Sequence, residues 1–276
     1  MKLNNFLNYI QVDGYMLHED CRQKLNICVM FNKLSNHKKI IYDAFVQALG
    51  ENVAIDFYIY NNNIKVFKEL MTARNKAYSH YVIMPHFIEA DEEAYEIINK
   101  LPKDKLILMD KMIPGLEGDF AAAYENFERD IFLALEKALA PLNKYDVLKL
   151  VFPEGSYFPQ EIKRGFSRFC HRYGFTERVV TDVSKESIGE GEVFIVLREE
   201  DLVTLIEKVQ LLKLSIGQEV GLISYNETPW KKVILKGITT ISTDFQQMGQ
   251  IAARLILDNS RKQVEVPFHL TLRHSL

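Results

Sequence analysis

Short apolar runs alternate with longer segments of helical periodicity from residue 25 onward. A helix repeats its apolar residues about every 3.6 positions, whereas a fully buried strand is a short continuous apolar run. By this criterion the first part of the chain predicts strands at 25–31, 53–60, 81–85 and 105–110, and helices at 38–50, 64–78 and 90–101. Regular alternation of strand and helix is typical of a parallel sheet with helices on both faces.

The same alternation begins again after a long predicted helix at 124–139. The second part predicts strands at 147–153, 178–183, 192–197, 220–225 and 238–243, with helices at 160–174, at 200–212 and from Phe245 onward. Two complete cycles indicate two similar lobes rather than one large sheet. The expected fold class is therefore α/β, with two doubly wound parallel-sheet lobes.

Composition limits the kinds of protein that this chain can be. Its 276 residues are 47% hydrophobic and 26% charged with a formal net charge of −3, and the basic face of a domain that grips DNA by itself is missing. The three cysteines are scattered and form no CxxC pair, which favours a reducing compartment. No run approaches 18 apolar residues, and the N-terminal sequence lacks the pattern of a signal peptide. We therefore expect a soluble, cytoplasmic protein that does not bind a membrane.

The usual catalytic signatures are absent from the sequence. It has no GxxxxGK[ST] phosphate loop and no GxSxG nucleophile turn, and its histidines never recur at the spacing of metal ligands. The GEG at 189–191 is half of a dinucleotide-binding fingerprint, but a predicted strand follows it where a helix is required. We predict no catalytic residue, no metal and no cofactor, and hence a protein that is not an enzyme.

Polar side chains follow most of the predicted strands, at the edge where open α/β sheets bind ligands. The candidates are Asn32, Ser35, His37, His86, Asp110 and Lys111 in the first part, and Tyr157, Arg198, Glu199, Asn226 and Glu227 in the second. Amides and carboxylates bridge neighbouring hydroxyl groups, Arg and Lys add donors, and aromatic rings cover the C–H faces of sugars. This combination is typical of a carbohydrate site.

Some of these candidates also have a purely structural interpretation. Ser35 or Asn36 can cap the helix that follows, a role that is compatible with ligand contact. A lone histidine such as His86 is more often a solvated loop residue. Asp110 and Lys111 can form a surface pair that contributes about 0–1 kcal/mol. Their position at a strand end nevertheless keeps both among the functional candidates.

Three C-terminal segments resemble the sensor core of LacI/GalR-type regulators, which has the periplasmic-binding-protein-like fold: VGLISYNETPW, GITTISTDFQQMGQIAARLIL and LTLRHSL. The resemblance covers roughly residues 25–276 and implies two lobes joined by hinge crossovers. It places Asp244 at a crossing point as well as at a helix start, so Asp244 joins the ligand candidates. The implied division is an N-terminal lobe of residues 25–122 and 245–263, a C-terminal lobe of residues 123–244 and 264–276, and a linker or tail at 1–24.

The phrases FNKLSNHK, YVIMPHF, QEIKRGF and SYNETPW are similar to a subfamily in which this core is joined to a GntR-type winged helix. Its members regulate transcription, often of sugar-utilisation genes. Two ligand-contacting positions of the family differ here: Ile162 replaces an arginine, with Arg164 close by as a further candidate, and Arg198–Glu199 replaces Asn–Asp. The resemblance therefore does not imply which sugar is bound. The 24 residues before the core are too short for a winged helix, so the expected DNA-binding head is either outside this sequence or absent by nature.

The resemblance implies the effector-binding domain of a bacterial transcription regulator, which binds a monosaccharide or similar polyhydroxy ligand between its lobes and acts on DNA through an attached head. A homodimer is expected, with the helices at 38–50 and 64–78 as pairing surfaces. Two alternatives stay open. A sugar-binding protein of a transport system predicts a signal peptide and a monomer, and an enzyme predicts a catalytic base, a metal set or a phosphate loop.

Overall fold

The computed structural model describes residues 25–72, 77–88 and 91–276. The tail predicted at 1–24 lies outside these residues, as do parts of the helices predicted at 64–78 and 90–101. Up to Tyr124 the elements are β1 (Leu25–Phe31), α1 (Asn36–Leu49), β2 (Val53–Ile59), α2 (Ile64–Thr72), β3 (His80–Ile83), α3 (Asp91–Asn99), β4 (Leu106–Asp110) and β5 (Ala121–Tyr124).

Twelve further helices and strands follow β5. They are α4 (Phe127–Lys137), α5 (Leu139–Leu142), β6 (Val147–Val151), α6 (Glu161–Tyr173), β7 (Thr176–Val180), β8 (Glu192–Val196), α7 (Glu199–Leu211), β9 (Val220–Tyr225), β10 (Thr239–Thr243), α8 (Phe245–Leu257), β11 (Gln263–Glu265) and β12 (Phe268–Thr271). Short 3-10 turns lie between β9 and β10 and before β4.

Two six-stranded sheets organise the described residues. The first has the order β11-β5-β4-β3-β1-β2 with parallel pairings throughout. The second has the order β12-β10-β9-β8-β6-β7 and is parallel apart from β12, which runs antiparallel to β10 at the edge. This confirms the predicted α/β class with two sheets dominated by parallel pairing. We call each sheet, with the helices that pack on it, a lobe.

The chain passes between the two lobes three times. It leaves the first sheet after β5, returns after β10, and crosses again between β11 and β12. For this reason α8 packs on α1, β4 and β5 of the first lobe, although β10 just before it belongs to the second sheet. Two of the crossings are tied together by an ion pair between Arg129 and Glu265. The residue numbers at which the sequence divides the lobes stay a prediction.

The sequence pattern misses β5 and assigns Tyr124 to a helix. β5 is a run of three alanines before this tyrosine, and alanine is depleted in strands. Its alanines are nevertheless 0–4% exposed, because β5 pairs with β4 and β11 while α8 packs across it. The helix begins only at Phe127, where the Asn126 side chain caps it by accepting a hydrogen bond from Arg129 N at 3.3 Å. Tertiary packing overrides local propensity at this strand.

One other predicted strand differs in position, and the stretch after α8 forms two further strands. The strand predicted at 178–183 is β7 and begins and ends earlier. The C-terminal stretch forms β11 and β12, which lie in different sheets on either side of Pro267. Proline lacks the N–H that a continuing ladder needs, and its carbonyl instead accepts a hydrogen bond from Asp244 N at 2.9 Å. This contact joins the second and third crossings.

α1 and α8 approach each other closely because α8 carries Gly249 at their contact. A Cβ atom at this position would lie 2.8 Å from Phe45 N and would also overlap Ile41 O. The absence of a side chain therefore lets the two helix backbones meet. It also brings the amino ends of both helices together, so that the His37 ring stacks on Phe245 with 4.9 Å between ring centroids.

Gly249→Ala is expected to lower the free energy of unfolding by about 1–3 kcal/mol, as overpacking does in a filled core. The sign is informative, since alanine at an exposed helix position stabilises a helix by roughly 1 kcal/mol relative to glycine. Denaturant unfolding of the variant measures the change. Gln246→Ala, at an exposed position of the same helix, is the control and should shift stability by less than about 0.5 kcal/mol. Stabilisation by Gly249→Ala would show that the helices separate without cost.

Candidate functional site

The loops after the strands of the two sheets meet across a cleft. Tyr157, after β6, lies against His86, after β3, with 5.7 Å between ring centroids. Lys33, after β1, places Nζ 4.9 Å from the centroid of the same tyrosine ring. We call this region the interlobe cleft and define it by Lys33, His37, His86 and Asp110 of the first lobe and by Tyr157 and Lys231 of the second, with Arg198 at its border.

A buried charged cluster forms the floor of the first-lobe side. Asp110 Oδ2 accepts hydrogen bonds from Lys38 Nζ at 3.2 Å and from His86 Nε2 at 3.1 Å. The side chains of Lys38 and His86 are only 2% and 3% exposed. Burial alone would raise the pKa of Asp110, but His86 and Lys38 outweigh it and hold this pKa well below its usual range. Asp110 is thus an anion that two buried partners fix in place.

The backbone at Asp110 is also constrained. Its φ of 73° lies in the left-handed region, which few residues other than glycine adopt. Asn226, at the end of β9 in the second lobe, has the same character with a φ of 63°. Such conformations cost on the order of 1–3 kcal/mol and tend to lie at functional sites. Two strand ends that the sequence selects are therefore unusual in conformation too.

His86 is buried, so its interpretation as a solvated loop residue is wrong. Burial lowers its pKa, although the neighbouring Asp110 opposes this shift. The neutral ring must carry its proton on Nε2, since that nitrogen contacts a carboxylate oxygen. Nδ1 is then a hydrogen-bond acceptor, and it has no partner among the described residues. A buried acceptor in this state is costly unless a further group binds to it.

Other first-lobe candidates surround this cluster. Ser35 caps α1 by accepting a hydrogen bond from Lys38 N at 3.4 Å, the structural role that the sequence suggested. Asn32 is fully buried and donates from Nδ2 to Asn62 Oδ1 at 2.6 Å. Burial first, and then the nearby Lys38, lower the pKa of His37 to about 3, so this ring is neutral.

A small cavity adjoins the first crossing. It has a volume of about 240 Å³, and Lys111, Glu125, Phe127 and Glu161 are among the residues that line it. Lys111 Nζ lies 5.7 Å from the ring centroid of Tyr95. Burial first, and then the neighbouring Asp110, raise the pKa of Glu125 well above its usual value. Glu125 lies in a predicted helix and was not recognised from the sequence.

The second-lobe side depends on a buried lysine that the sequence did not indicate. Lys231 is 1% exposed and donates from Nζ to Tyr225 O at 2.8 Å and to Asn226 O at 2.6 Å. Glu199 is the partner in a longer ion pair, 4.0 Å away. Burial lowers the pKa of Lys231 to about 8, while Glu199 and Glu227 oppose the shift. Lys231 holds the loop after β9 in position.

Several predicted ligand residues have protein partners instead. Arg198 makes two hydrogen bonds of 2.7 Å to Asp201 in the first turn of α7, although its position borders the cleft. Glu227 forms an ion pair with Arg273, near the C-terminus, at 2.9 Å. Asp244 caps α8 through Gln247 N at 2.9 Å at the second crossing.

Arg164 has protein carboxylates as its partners. Its guanidinium is 57% exposed and pairs with Glu128 at 3.2 Å and with Glu161 at 3.0 Å. The structure thus brings together His37, His86, Asp110 and Tyr157. Arg198, Glu199 and Asn226 lie at the border of the cleft. Glu227 is paired with an arginine, and Arg164 is paired with two glutamates. Ligand contacts of all these residues remain predictions.

No group of three or more His, Cys, Asp or Glu side chains within 25–72, 77–88 and 91–276 has the arrangement of a metal site. In that part of the chain, no helix combines the length and the apolar character needed to cross a membrane.

Comparisons with known proteins agree with the two-lobed geometry. The family profile of the periplasmic binding protein-like domain matches residues 147–276. The Lac repressor bound to ONPG in its repressed state has a TM-score of 0.73 at 16% identity, over 93% of this chain and 83% of that chain. A protein from Corynebacterium glutamicum assigned to LacI-family transcription repressors has a TM-score of 0.68 at 17% identity, over 91% of this chain and 98% of that chain.

A transcription regulator-like protein from Staphylococcus haemolyticus is also similar, with a TM-score of 0.73 at 14% identity over 92% of this chain and 99% of that chain. No curated protein sequence matches the chain. At these identities the comparisons establish the periplasmic-binding-protein-like fold.

Proposed function

We propose that the chain is the effector-binding part of a bacterial transcription regulator and that it binds a monosaccharide or similar small polyhydroxy ligand in the interlobe cleft. The observation that carries this proposal is the Nδ1 acceptor of His86, which has no partner within the part of the chain that the structure describes, on a ring that is 3% exposed and lies against Tyr157 of the other lobe. A ligand hydroxyl between the lobes supplies the donor that this nitrogen lacks.

Neighbouring groups fit the same ligand chemistry. Both contacts to Asp110 are made through Oδ2, which leaves Oδ1 of this carboxylate as an acceptor. A fixed carboxylate and a ring nitrogen side by side suit two hydroxyl groups on adjacent carbons, since each accepts one hydrogen bond. Tyr157 of the second lobe lies beside this pair, with its ring centroid 5.7 Å from that of His86. These contacts come from opposite lobes.

Regulation follows from this division of contacts. A ligand that touches both lobes binds the closed arrangement more tightly than an open one and so shifts the population toward closure. The three crossings are the segments about which the lobes rotate relative to each other. In a homodimer, such a rotation changes the separation of two attached DNA-binding heads. We propose a GntR-type winged helix as that head and α1 and α2 as pairing surfaces. The Lac repressor has been seen as a dimer bound to operator and an anti-inducer.

A thermal-shift screen against neutral monosaccharides, sugar phosphates and sugar acids tests the proposal. A ligand present at 100 times its Kd stabilises the folded protein by about 2.7 kcal/mol, which is a visible increase in Tm. We expect at least one sugar to do so, and we expect His86→Phe to weaken its binding while Lys185→Gln, at an exposed position of the second lobe, leaves binding unchanged. If no sugar or sugar derivative stabilises the protein, the proposed ligand class is wrong.

A further inference from the structure

Lys33 is a cation in the interlobe cleft. Its Nζ lies over the Tyr157 ring and forms no ion pair with a carboxylate of the described residues. Burial lowers the pKa of Lys33; the carboxylate of Glu200 opposes this shift, and the positive charges of Lys38 and Arg198 add to it. The ammonium group is therefore partly desolvated and lies near both the carboxylate of Glu200 and the positive charges of Lys38 and Arg198.

Lys231 presents a second positive charge from the opposite lobe. Its ammonium group is bound by two backbone carbonyls, and Glu199 at 4.0 Å is its only ion-pair partner in the residues described. Glu199 is 41% exposed, so that water screens its charge more effectively than that of the buried lysine. Carbonyl dipoles hold an ammonium group in position but do not neutralise it.

The His37 ring is influenced by charges from both lobes. Beside burial and the opposing Asp110, the electrostatic influences on its ring come from Lys38 and Lys33 of the first lobe and Lys231 of the second. The ring is neutral and lies in the first turn of α1, whose amino end adds the positive potential of a helix dipole. Since Lys38 is already paired with Asp110, the net positive charge at this point comes from the other two lysines.

We propose that the effector carries an anionic group, a carboxylate or a phosphate, which binds between Lys33 of the first lobe and Lys231 of the second. The inference rests on the proposed function and specifies its ligand: a sugar acid or a sugar phosphate, whose hydroxyl groups bind His86 and Asp110. An anion between two lysines from different lobes offsets their repulsion only when the lobes are closed. The charge of the ligand thereby contributes directly to closure.

His86 Nδ1, which lacks a partner among the residues that the structure describes, is a sign apart from the lysines that this cleft holds a ligand. The carboxylates of α7 are the competing partners for the two lysines. Glu199 is partly exposed and Glu200 is exposed at the cleft border, and both lie at the amino end of α7, where the helix dipole stabilises them without a lysine. A ligand anion in the cleft is less hydrated than these surface groups and interacts more strongly with the lysines.

The test uses thermal shift and calorimetric titration with matched probes: glucose, glucose 6-phosphate, glucuronate and inorganic phosphate, with chloride at equal ionic strength as the reference. The variants are Lys33→Gln and, as the matched control, Lys232→Gln, which removes an exposed lysine beside Lys231. We expect an anionic probe to raise Tm, and Lys33→Gln to weaken its binding about tenfold or more. Lys232→Gln should bind like the unmodified protein.

The outcomes separate this inference from the proposed function. Stabilisation by glucose 6-phosphate or phosphate supports a phosphate site, and stabilisation by glucuronate alone supports a carboxylate site. Binding of neutral sugars only overturns the inference and leaves the proposed function intact. Anion binding that Lys33→Gln does not change also overturns it, because the anion is then bound elsewhere. If no anionic probe binds or raises Tm, the inference is overturned as well. The wider panel of neutral sugars then tests the proposed function separately.

Discussion

Asp110→Ala is expected to lower the free energy of unfolding by about 3–5 kcal/mol, the cost of removing one partner of a buried ion pair. The substitution leaves the ammonium group of Lys38, 2% exposed, without its carboxylate, and it removes the hydrogen-bond partner of His86 Nε2. A strand-end residue outside the core would be replaceable without loss, but this one is part of a buried cluster. Denaturant unfolding at neutral pH measures the loss.

The pH dependence of this effect has a definite sign. The folded-state pKa of Asp110 is depressed, so its stabilising contribution is fully present above the unfolded-state pKa of about 3.9. This contribution is lost as pH falls through the lower folded-state value. We therefore expect the stability difference between the unmodified protein and Asp110→Ala to narrow below about pH 4.

Two further variants check the explanation. Asp43→Ala removes the acid of an ion pair on the outer face of α1, where Lys39 is 73% exposed and Asp43 is 57% exposed. It should lower the free energy of unfolding by no more than about 1 kcal/mol. Lys38→Met combined with Asp110→Ala removes both charges and should recover part of the loss. A double variant that is no more stable than Asp110→Ala would contradict the role assigned to the unpaired ammonium group.

Lys149→Met should have a similarly large effect in the second lobe, with a loss of about 3–5 kcal/mol in unfolding free energy. Lys149 is 0% exposed in the middle of β6, and its Nζ contacts Glu186 at 2.7 Å, Glu192 at 2.8 Å and Ser187 O at 3.0 Å. Without the ammonium group, two partly buried carboxylates repel each other. Ligand affinity should be unchanged, because Glu192 opens β8 at the end of the sheet opposite the cleft.

Lys185→Met is the matched control for this prediction. Lys185 forms an ion pair with Asp182 at 3.0 Å, but the lysine is 85% exposed, so water replaces the contact and the expected change is within about 1 kcal/mol. Equal losses in both variants would mean that burial does not set the strength of these ion pairs.

The sequence by itself determined the α/β class, the two cycles of strand and helix, and the strand ends where polar side chains collect. These features are local, since periodicity and capping depend on neighbours along the chain. Ser35 and Asp244 were recognised as caps for this reason, and Asp110 because a polar residue ends an apolar run. β5 was not predicted because alanine is depleted in strands. Its alanines form a strand because β4 and β11 pair with it and α8 packs across it.

Only the tertiary structure decided which charges meet. Lys38 and Asp110 are 72 positions apart, so that nothing near either residue in the sequence indicates their pairing. One signal for Lys38 existed: it lies one helical turn before Ile41, on the face of α1 that is buried. Lys231 gave no such signal, because its partners are backbone carbonyls that any sequence supplies. Burial converts these lysines from solvated surface charges into fixed groups of the cleft, since a desolvated ammonium group must find partners within the fold.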